Sequence, residues 1–422
     1  MAEDYYIIHE NEMREIKEAL ENKKWSAAVT KIQDYCEQIN RVELNIAITG
    51  ETGSGKSTFV NAIRGLEDED EGAAPTGVVE TTMEPTMYPH PKFPNVKMWD
   101  LPGIGSPNFK AEEYLQKVEF QRYDFFIIII SDRFKISNVQ LATEIQRMKK
   151  KFYFVRSKID RDIQSEQRKK GFDKEKTLNL IRQDCIKGLQ QHELASPWVF
   201  LISSFHLDLY DFPQLEDNIE QQLPDLKRHV LLLSLPNITL DINQRKKKTL
   251  QAHIWKLALL SATVAAVPIP GLSMAVDVTI LVIELIKYYK AFDLDDKSLE
   301  TLSNKTNVPV KELKAVQKSP FNKEISANVV IKLLTKCAGA GLMLLEYWVS
   351  TIPVLGSMAA GGISFATIHR MLTTSLNELA DDAHNVLITA LQQHIVTQPG
   401  LIFHQFNCFW QLRVSRFHGD PL

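Results

Sequence analysis

Residues 50 to 58 read Gly-Glu-Thr-Gly-Ser-Gly-Lys-Ser-Thr and directly follow the apolar run Leu44–Thr49. This spacing matches the phosphate-binding loop, in which Gly-x-x-x-x-Gly-Lys-Ser joins a buried strand to a helix. The glycines let successive backbone N–H groups turn inward at a helix N-terminus, where anions are favoured. The lysine of such a loop reaches the outer phosphates of a nucleotide, and its serine hydroxyl ligates Mg²⁺. The stretch therefore predicts a nucleoside triphosphate site, with a helix that begins near Lys56.

The predicted phosphate site takes in the whole loop. Lys56 is also expected to act in catalysis, and Ser57 to bind the metal. The alternative is a glycine-rich turn with a solvated lysine, and the order of strand, loop, lysine, serine and helix argues against it. The residues expected around the phosphates are Gly50, Glu51, Thr52, Gly53, Ser54, Gly55, Lys56, Ser57 and Thr58.

Short apolar runs alternate with polar, helix-compatible stretches from residue 44 to about 240. Such alternation predicts an α/β fold, a mainly parallel sheet with helices on both faces. The run Phe125–Ile130 is apolar at every position, as in a central strand that is buried on both faces. Val78–Tyr88 and Val96–Trp99 flank a turn-rich segment and predict an antiparallel edge hairpin. The predicted strands are Leu44–Thr49, Val96–Leu101, Phe125–Ile130, Phe152–Val155 and Val199–Ile202.

An acidic residue ends the second of these runs, in Asp100-Leu-Pro-Gly103. A Mg²⁺–triphosphate site needs a carboxylate at a neighbouring strand end, and Asp100 is expected to act through water bound to Mg²⁺. The N–H of Gly103 is expected to meet the γ-phosphate. Asp-x-x-Gly alone is a common turn, but its place at a strand end after a phosphate loop favours the metal site.

The segment Arg156-Ser-Lys-Ile-Asp160 follows the fourth run, at the sheet edge where α/β proteins bind ligands. An aspartate there accepts the N1–H and amino hydrogens of guanine, while the stem of Lys158 covers the base. Adenine offers neither donor, so Asp160 favours GTP over ATP. The alternative is a helix N-cap aspartate beside a surface lysine. The other residues expected at the base are Ser157, Ser203 and Ser204.

The threonine-rich segment Gly72–Glu84 is the expected switch loop. An ordinary solvated loop explains its composition equally well. Ile104 stands where small signalling GTPases carry a water-orienting glutamine, so hydrolysis would need a residue from elsewhere, such as a partner. Glu80 and Thr82 are the candidates for catalysis. The groups expected near the γ-phosphate are the hydroxyls of Thr76, Thr81 and Thr82 and the carboxylate of Glu80.

The strand signals end near residue 240, and two apolar blocks follow, Leu257–Ile286 and Val329–Leu372. Each block is broken by proline and glycine, which predicts two helical hairpins. Residues 10 to 40 also have helical spacing. The expected organisation is an N-terminal helical segment (1–40), a GTPase domain (41–235), an all-α C-terminal domain (236–396) and an unassigned tail (397–422).

The first apolar block bears on membrane contact. The basic run Arg245–Lys248 precedes it, as beside membrane-inserting helices. The block also contains Asp277 and Glu284, and its halves are short for the roughly 30 Å of hydrocarbon in a bilayer. Core helices are therefore favoured over spans, and a reversible amphipathic contact stays open.

The overall composition is that of a globular protein with an expected cytosolic location. The 422 residues, 44% hydrophobic and 24% charged, suffice for two domains. A formal net charge of -3 gives no general attraction to nucleic acid, so no such partner is expected. The four cysteines lack the paired spacing of a zinc cluster or a disulfide framework. No secretory signal is recognised, and Ala2 stands where myristoylation needs glycine.

Several stretches resemble the immunity-related GTPases, the interferon-inducible, dynamin-like family. The resemblance covers about residues 10 to 390, on the branch with Gly-Lys-Ser in the loop rather than methionine before that lysine. Ser157 departs from the Thr or Asn that is usual there, and Ser204 from Asn. The stretches include Thr76-Gly-Val-Val-Glu-Thr-Thr82, Trp99-Asp-Leu-Pro-Gly-Ile-Gly105, Phe152-Tyr-Phe-Val-Arg-Ser-Lys158 and Ser234-Leu-Pro-Asn-Ile-Thr239.

This resemblance implies a G domain joined to a helical domain that is built from both ends of the chain. It implies GTP or GDP and Mg²⁺ as cofactors, hydrolysis to GDP and phosphate, and homo- or hetero-oligomers with related GTPases through the G domain. In relatives, the segment matching Thr76, Glu80 and Thr82 lies at the nucleotide-facing dimer surface. It further implies reversible contact, from the cytoplasm, with pathogen-vacuole or other intracellular membranes. The alternative function is a regulatory guanine-nucleotide-binding module that hydrolyses little and controls related GTPases.

Overall fold

A six-stranded sheet forms the centre of the first part of the chain. The computed structural model describes residues 41–77, 82–104, 110–131, 135–190, 198–265, 272–321, 325–334 and 359–397, and single positions between 15 and 31. The strands are β1 (Leu44–Gly50), β2 (Thr86–Pro89), β3 (Val96–Asp100), β4 (Phe125–Ile130), β5 (Lys151–Arg156) and β6 (Val199–Leu201).

The strands lie in the order β2-β3-β1-β4-β5-β6. Every neighbouring pair is parallel except β2 with β3, which is antiparallel. β4 lies inside the sheet and is buried at all its positions, which explains its unbroken apolar sequence. The carboxyl ends of β1, β3, β4, β5 and β6 therefore meet at one edge, where α/β folds bind ligands.

Helices cover both faces of this sheet. On one face Phe59 and Leu231 share a buried cluster with β1, and on the other Leu141 and Leu189 pack against β4 and β5. The two clusters confirm the predicted α/β layers. The helices are α1 (Lys56–Ile63), α2 (Ala111–Lys117), α3 (Ile136–Arg147), α4 (Ile159–Glu166), α5 (Lys174–Gln190), α6 (Phe212–Gln222) and α7 (Asp225–Ser234).

The rest of the described chain is helical. One apolar cluster joins Leu250, Leu281 and Leu372 from three helices, and it includes Ala19 from the N-terminal segment. The helical part therefore draws on both ends of the chain, as the resemblance implies. Its elements are α8 (Leu240–Ala265), α9 (Leu272–Ala291), α10 (Asp296–Thr306), α11 (Val310–Ala315), residues 327–334 and α12 (Ala359–Thr397).

A polar cluster joins the helical part to the sheet. Lys92, in the turn between β2 and β3, forms ion pairs with Asp293 and, at 2.7 Å, with Asp295. Asp293 also accepts a 2.7 Å hydrogen bond from the backbone N–H of Asn237. Burial opposes the charge of Lys92, but the two carboxylates outweigh it and raise the pKa of the lysine. The hairpin is thus anchored on the α9–α10 connection.

The predicted edge hairpin is confirmed only in part. Strand β2 begins at Thr86, whereas the prediction began the strand at Val78, and residues 78–81 lie outside the described residues. The described residues 82–85 are not strand, and Pro85 has no N–H with which to extend the ladder. The proline and glycine breaks predicted at 267–271 and 352–356 also lie outside the described residues.

The first two residues of the basic run before the first apolar block are engaged within the fold. Arg245 makes ion pairs with Asp217 and, at 2.9 Å, with Glu220. Lys246 is buried, and its Nζ donates 2.5 Å hydrogen bonds to the carbonyl oxygens of Leu235 and Ala291. These cations hold α8 against α6 and the end of α7, contacts that the basic run alone does not predict. Among the described helices, none is both long and apolar enough to cross a membrane.

Candidate functional site

The loop between β1 and α1 turns tightly against β4. Gly50 has φ 141°, and a Cβ there would lie 2.0 Å from the carbonyl oxygen of Ile129. Gly55 has φ 95°, in the left-handed region, immediately before the first helical residue, Lys56. Both positions need glycine, because an L side chain at Gly50 would collide and one at Gly55 would be strained. The predicted helix start at Lys56 is confirmed.

An open cleft of about 550 Å³ lies over the N-terminus of α1. Its lining combines backbone groups of the loop with hydroxyls and two lysines, and none of the described lining residues carries a carboxylate. This composition suits an anion. All but Gly77 were predicted from the sequence. The lining residues are Thr52, Gly53, Gly55, Lys56, Ser57, Thr58, Thr76, Gly77, Thr82, Gly103 and Lys158.

Asp100 lies at the end of β3 beside this cleft and accepts hydrogen bonds from two hydroxyls. The Oγ of Ser57 donates to its Oδ2 at 2.6 Å, and the Oγ1 of Thr82 donates to the same atom at 2.9 Å. Burial raises the pKa of Asp100, although both hydrogen bonds and the charge of Lys56 oppose that shift. The Oδ1 of Asp100 is buried and has no hydrogen-bond partner among the described residues. Three oxygen-bearing side chains from separate segments thus meet at one point.

Lys56 is almost fully buried, 7% exposed, although it lines the cleft. Its Nζ donates a 3.0 Å hydrogen bond to the carbonyl oxygen of Glu51. The ammonium group is therefore held across the mouth of the loop. A lysine in this position places a point charge over the space that the loop encloses.

The side chain of Glu51 turns away from the cleft. Its Oε2 forms a 2.5 Å ion pair with Lys135, and its Oε1 accepts a 3.1 Å hydrogen bond from Asn138. Glu51 therefore ties the loop to the start of α3. The predicted contact of Glu51 with the nucleotide would therefore come from its backbone. Its carboxylate is already engaged, and it would be repelled by the phosphates. Gly50 and Ser54 likewise belong to the turn without lining the cleft.

The segment after β5 is attached to the same loop. Ser157 Oγ lies 2.6 Å from the carbonyl oxygen of Ser54 and 3.2 Å from that of Ile130. Lys158 donates from Nζ to the carbonyl oxygen of Gly53 at 2.6 Å, and its own φ is 59°. The predicted base segment and the phosphate loop are therefore one connected unit. Ser157, with its hydroxyl engaged, supports the cleft from behind.

Asp160 lies in the first turn of α4 and is half-buried. Its carboxylate accepts no hydrogen bond from the described residues, in contrast to Asp162, which pairs with Arg156 at 2.7 Å. The alternative N-cap role for Asp160 is wrong, because α4 begins at Ile159 and its N-cap is Lys158. Burial, helped by the nearby charge of Asp160, raises the pKa of Tyr210 to about 12.

The two serines after β6 are close to this segment but do not line the described cleft. The carbonyl oxygen of Ile202 accepts a 3.3 Å hydrogen bond from the N–H of Ile159, which joins the end of β6 to α4. Ser203 is fully buried, and Ser204 is half-buried. Their backbone contact with a base stays a prediction.

The segment predicted as a switch loop is held at its start by Asn61 of α1 and by Arg64, a link that the sequence does not reveal. Asn61 exchanges two hydrogen bonds with the backbone of Ala74, at 2.6 Å and 2.9 Å. Arg64 donates to the carbonyl oxygen of Gly72 at 2.9 Å. These bonds position the stretch that leads to Thr76. Glu80 and Thr81 lie outside the described residues.

Residues 9–389 match the family model described as interferon-inducible GTPase (IIGP). The chain belongs to the interferon-inducible GTPase family. Interferon-inducible GTPase 5 of Bos taurus is 41% identical over 395 residues, 93% of this chain and 85% of the relative. Interferon-gamma-inducible GTPase 10 of Mus musculus is 40% identical over 386 residues, 90% of this chain and 89% of the relative.

Membership in the interferon-inducible GTPases identifies the chain as a GTP-binding GTPase of the immunity-related type and confirms the resemblance drawn from the sequence. Among solved structures, Toc33 from Arabidopsis thaliana in complex with Mg²⁺ and GMPPNP covers 42% of this chain and 77% of its own. The two share 14% sequence identity, with a TM-score of 0.29.

Proposed function

We propose that this interferon-inducible GTPase hydrolyses GTP to GDP and phosphate in a Mg²⁺-dependent reaction at the cleft over α1. The observation that carries the proposal is the convergence of Ser57 and Thr82 on Asp100, beside a lysine and the glycine-rich loop that lines the cleft. Lys56 balances charge on the β- and γ-phosphates. Asp160 reads guanine, and Lys158 covers the base.

The donor set fits Mg²⁺. Two hydroxyls and a carboxylate are the hard oxygen ligands that this cation takes, and Mg²⁺ uses few carboxylates because it keeps several waters. The buried Oδ1 of Asp100, which has no partner among the described residues, is the atom that such a water would satisfy. When bound, the cation neutralises charge on the phosphates. Ser57 and Thr82 would hold it directly, and Asp100 through water.

The described lining contains no general base. It offers hydroxyls, lysines and backbone groups, and Ile104, which follows Gly103, is buried and apolar. Lys56 and the loop N–H groups can stabilise charge on the phosphates, but they do not orient a water. We therefore propose that Glu80 supplies this step beside Thr82, which already lines the cleft, and that a second GTPase chain seated over the cleft brings Glu80 into place.

Self-association through the G domain fits this incomplete cleft. An open site that lacks a base gains activity when a partner covers it and excludes water. We further propose that assembly occurs at intracellular membranes, through a peripheral contact. The family relationship supports both proposals, because they are the properties that the resemblance implies.

The test is phosphate release by purified protein over a range of protein concentrations. We expect specific activity to rise with concentration in the wild type. Lys56→Ala should bind GTP at least about a hundredfold more weakly and release no phosphate. Lys97→Ala removes an ion pair with Glu43 near the amino ends of β1 and β3. It is the matched lysine control and should behave as wild type. Unchanged GTP affinity in Lys56→Ala would refute the site.

The absence of a general base among the described lining residues favours one second candidate function. A chain that binds GTP without hydrolysing it would act as a regulatory module that controls active relatives. The same measurement separates the two functions. Phosphate release that is absent at every concentration, with intact GTP binding, identifies the module; release that grows with concentration identifies the assembling enzyme.

A further inference from the structure

The loop that follows β3 is fixed at both ends. The N–H of Leu101 donates to the carbonyl oxygen of Ile48 at 2.9 Å, and the N–H of Ile104 donates to that of Gly50 at 3.0 Å. Between them Pro102 has no N–H. The N–H of Gly103 has no acceptor among the described residues, although Gly103 lines the cleft. One backbone donor of this loop is therefore available to a ligand.

Tyr114, on α2, binds the carbonyl group of Pro102, which belongs to the same peptide unit as the N–H of Gly103. Its hydroxyl donates to the carbonyl oxygen of Pro102 at 2.9 Å and lies 2.8 Å from Thr49 Oγ1. A carbonyl oxygen can only accept, so the single hydroxyl hydrogen of Tyr114 is committed to Pro102. Thr49 must therefore donate to Tyr114. The result is a directed relay from β1 through α2 to the Asp-Leu-Pro-Gly loop, whose bonds reinforce one another.

Because the peptide bond is planar, the hydrogen bond from Tyr114 also fixes the direction of the Gly103 N–H in the cleft. The C=O of Pro102 and the N–H of Gly103 belong to one planar unit, and the described chain contains no cis peptide bond. In a trans unit the two groups point in opposite directions. A hydrogen bond that holds the carbonyl toward Tyr114 therefore turns the N–H of Gly103 the other way. If the hydroxyl is lost, the unit is free to rotate, and the donor loses its fixed direction.

We propose that Tyr114 is a positioning residue for GTP, whose hydroxyl holds the Pro102–Gly103 peptide so that the Gly103 N–H is aimed at the γ-phosphate. This inference rests on the proposed function. GDP lacks the γ-phosphate and gains nothing from the aimed donor. Tyr114 thus sets how strongly the chain prefers GTP over GDP, without touching either nucleotide.

The test compares equilibrium binding of GMPPNP and GDP, in Mg²⁺, by the full chain and its Tyr114→Phe variant. We expect GMPPNP affinity to fall about fivefold to tenfold, as for one hydrogen bond to a charged group, while GDP affinity changes less than about twofold. Tyr123→Phe is the matched control. It also deletes a buried phenol hydroxyl that donates to a backbone carbonyl, that of Val118 at 2.8 Å, but outside this relay. Its ratio of affinities should equal that of the wild type.

Thr49→Val gives a second measurement that leaves the bond from Tyr114 to Pro102 in place. Thr49→Val should lower the ratio of GMPPNP affinity to GDP affinity by about twofold, because the Tyr114 hydroxyl loses the hydrogen bond donated by Thr49. A Tyr114→Phe protein that weakens both nucleotides equally, or that keeps the wild-type ratio, overturns the inference. A wild-type chain that binds neither nucleotide instead refutes the proposed function.

Discussion

The hydroxyl of Ser57 donates a 2.6 Å hydrogen bond to Asp100 and so joins the first turn of α1 to the end of β3. Because Thr82 donates to the same oxygen, the Asp100 carboxylate lies at the centre of the proposed Mg²⁺ site. Asp100→Asn keeps the shape and removes the charge. We expect its GTP affinity in Mg²⁺ to fall about tenfold or more, to the level of the wild type in EDTA. A Mg²⁺ titration of labelled-nucleotide binding measures this.

Asp124→Asn is the control for that titration. Asp124 pairs with Lys227 and accepts from the N–H of Asn45, at the edge of the sheet opposite the cleft. Its loss should change stability and leave the Mg²⁺ midpoint where it is in the wild type. An Asp100→Asn protein with an unaltered midpoint would show that the carboxylate has no part in metal binding.

Asp160 should determine the choice of base. Its carboxylate is free of hydrogen bonds from the described residues, as a group that reads guanine must be. Asp160→Asn should weaken GTP binding about a hundredfold and improve xanthosine triphosphate binding, because the amide can donate to the added oxygen. Competition binding with GTP and xanthosine triphosphate measures this change in base preference.

Asp162→Asn provides the comparison, two residues further along α4 in the same first turn. Asp162 is engaged by Arg156 at 2.7 Å, so its variant should lose some stability and keep the preference for guanine. Equal base preference in the two variants would rule out Asp160 as the reader.

The sequence predicted the site best where one backbone geometry demands particular residues. Gly55, which is left-handed, and Gly50, where a Cβ would lie 2.0 Å from the carbonyl oxygen of Ile129, belong to a local sequence motif that can be recognised without tertiary contacts. Supporting contacts were not predictable. The bonds from Tyr114 to Pro102 and from Asn61 to Ala74 depend on how separate segments pack, and neither has a local pattern. The ion pairs of Arg245 were not predictable for the same reason, since its partners lie on α6.

Lys92 should be the main electrostatic link between the G domain and the helical part. Its side chain is only 19% exposed and faces both Asp293 and Asp295. Lys92→Met leaves these carboxylates with an uncompensated charge and should lower the free energy of unfolding by about 2 to 4 kcal/mol. Urea unfolding followed by far-UV circular dichroism measures the loss.

Lys297→Met is the matched control for this link. Lys297 is 52% exposed and lies 3.5 Å from Asp70, so its loss should cost less than about 0.5 kcal/mol. If the two variants were equally stable, the junction would not depend on the ion pairs of Lys92.

Glu216 should make the stability of the chain depend on pH. It is 2% exposed on α6, and neither carboxylate oxygen has a hydrogen-bond partner among the described residues. Burial raises its pKa to about 8, against the opposing charges of Arg245 and Lys246 and with a smaller contribution from Asp217 and Glu220. The folded chain therefore keeps a proton that the unfolded chain releases at about pH 4.5, so stability falls as pH rises between these values.

Glu216→Gln removes this proton exchange. The variant should be close to the wild type near pH 5 and more stable by roughly 4 kcal/mol at pH 8.5, where the wild type holds a buried charge. Asp217→Asn, a half-exposed acid that also pairs with Arg245, should keep the wild-type slope. Urea unfolding at pH 5, 7 and 8.5 measures all three chains. Parallel curves for Glu216→Gln and the wild type would mean that Glu216 is ionised in the folded chain throughout, stabilised by Arg245 and Lys246.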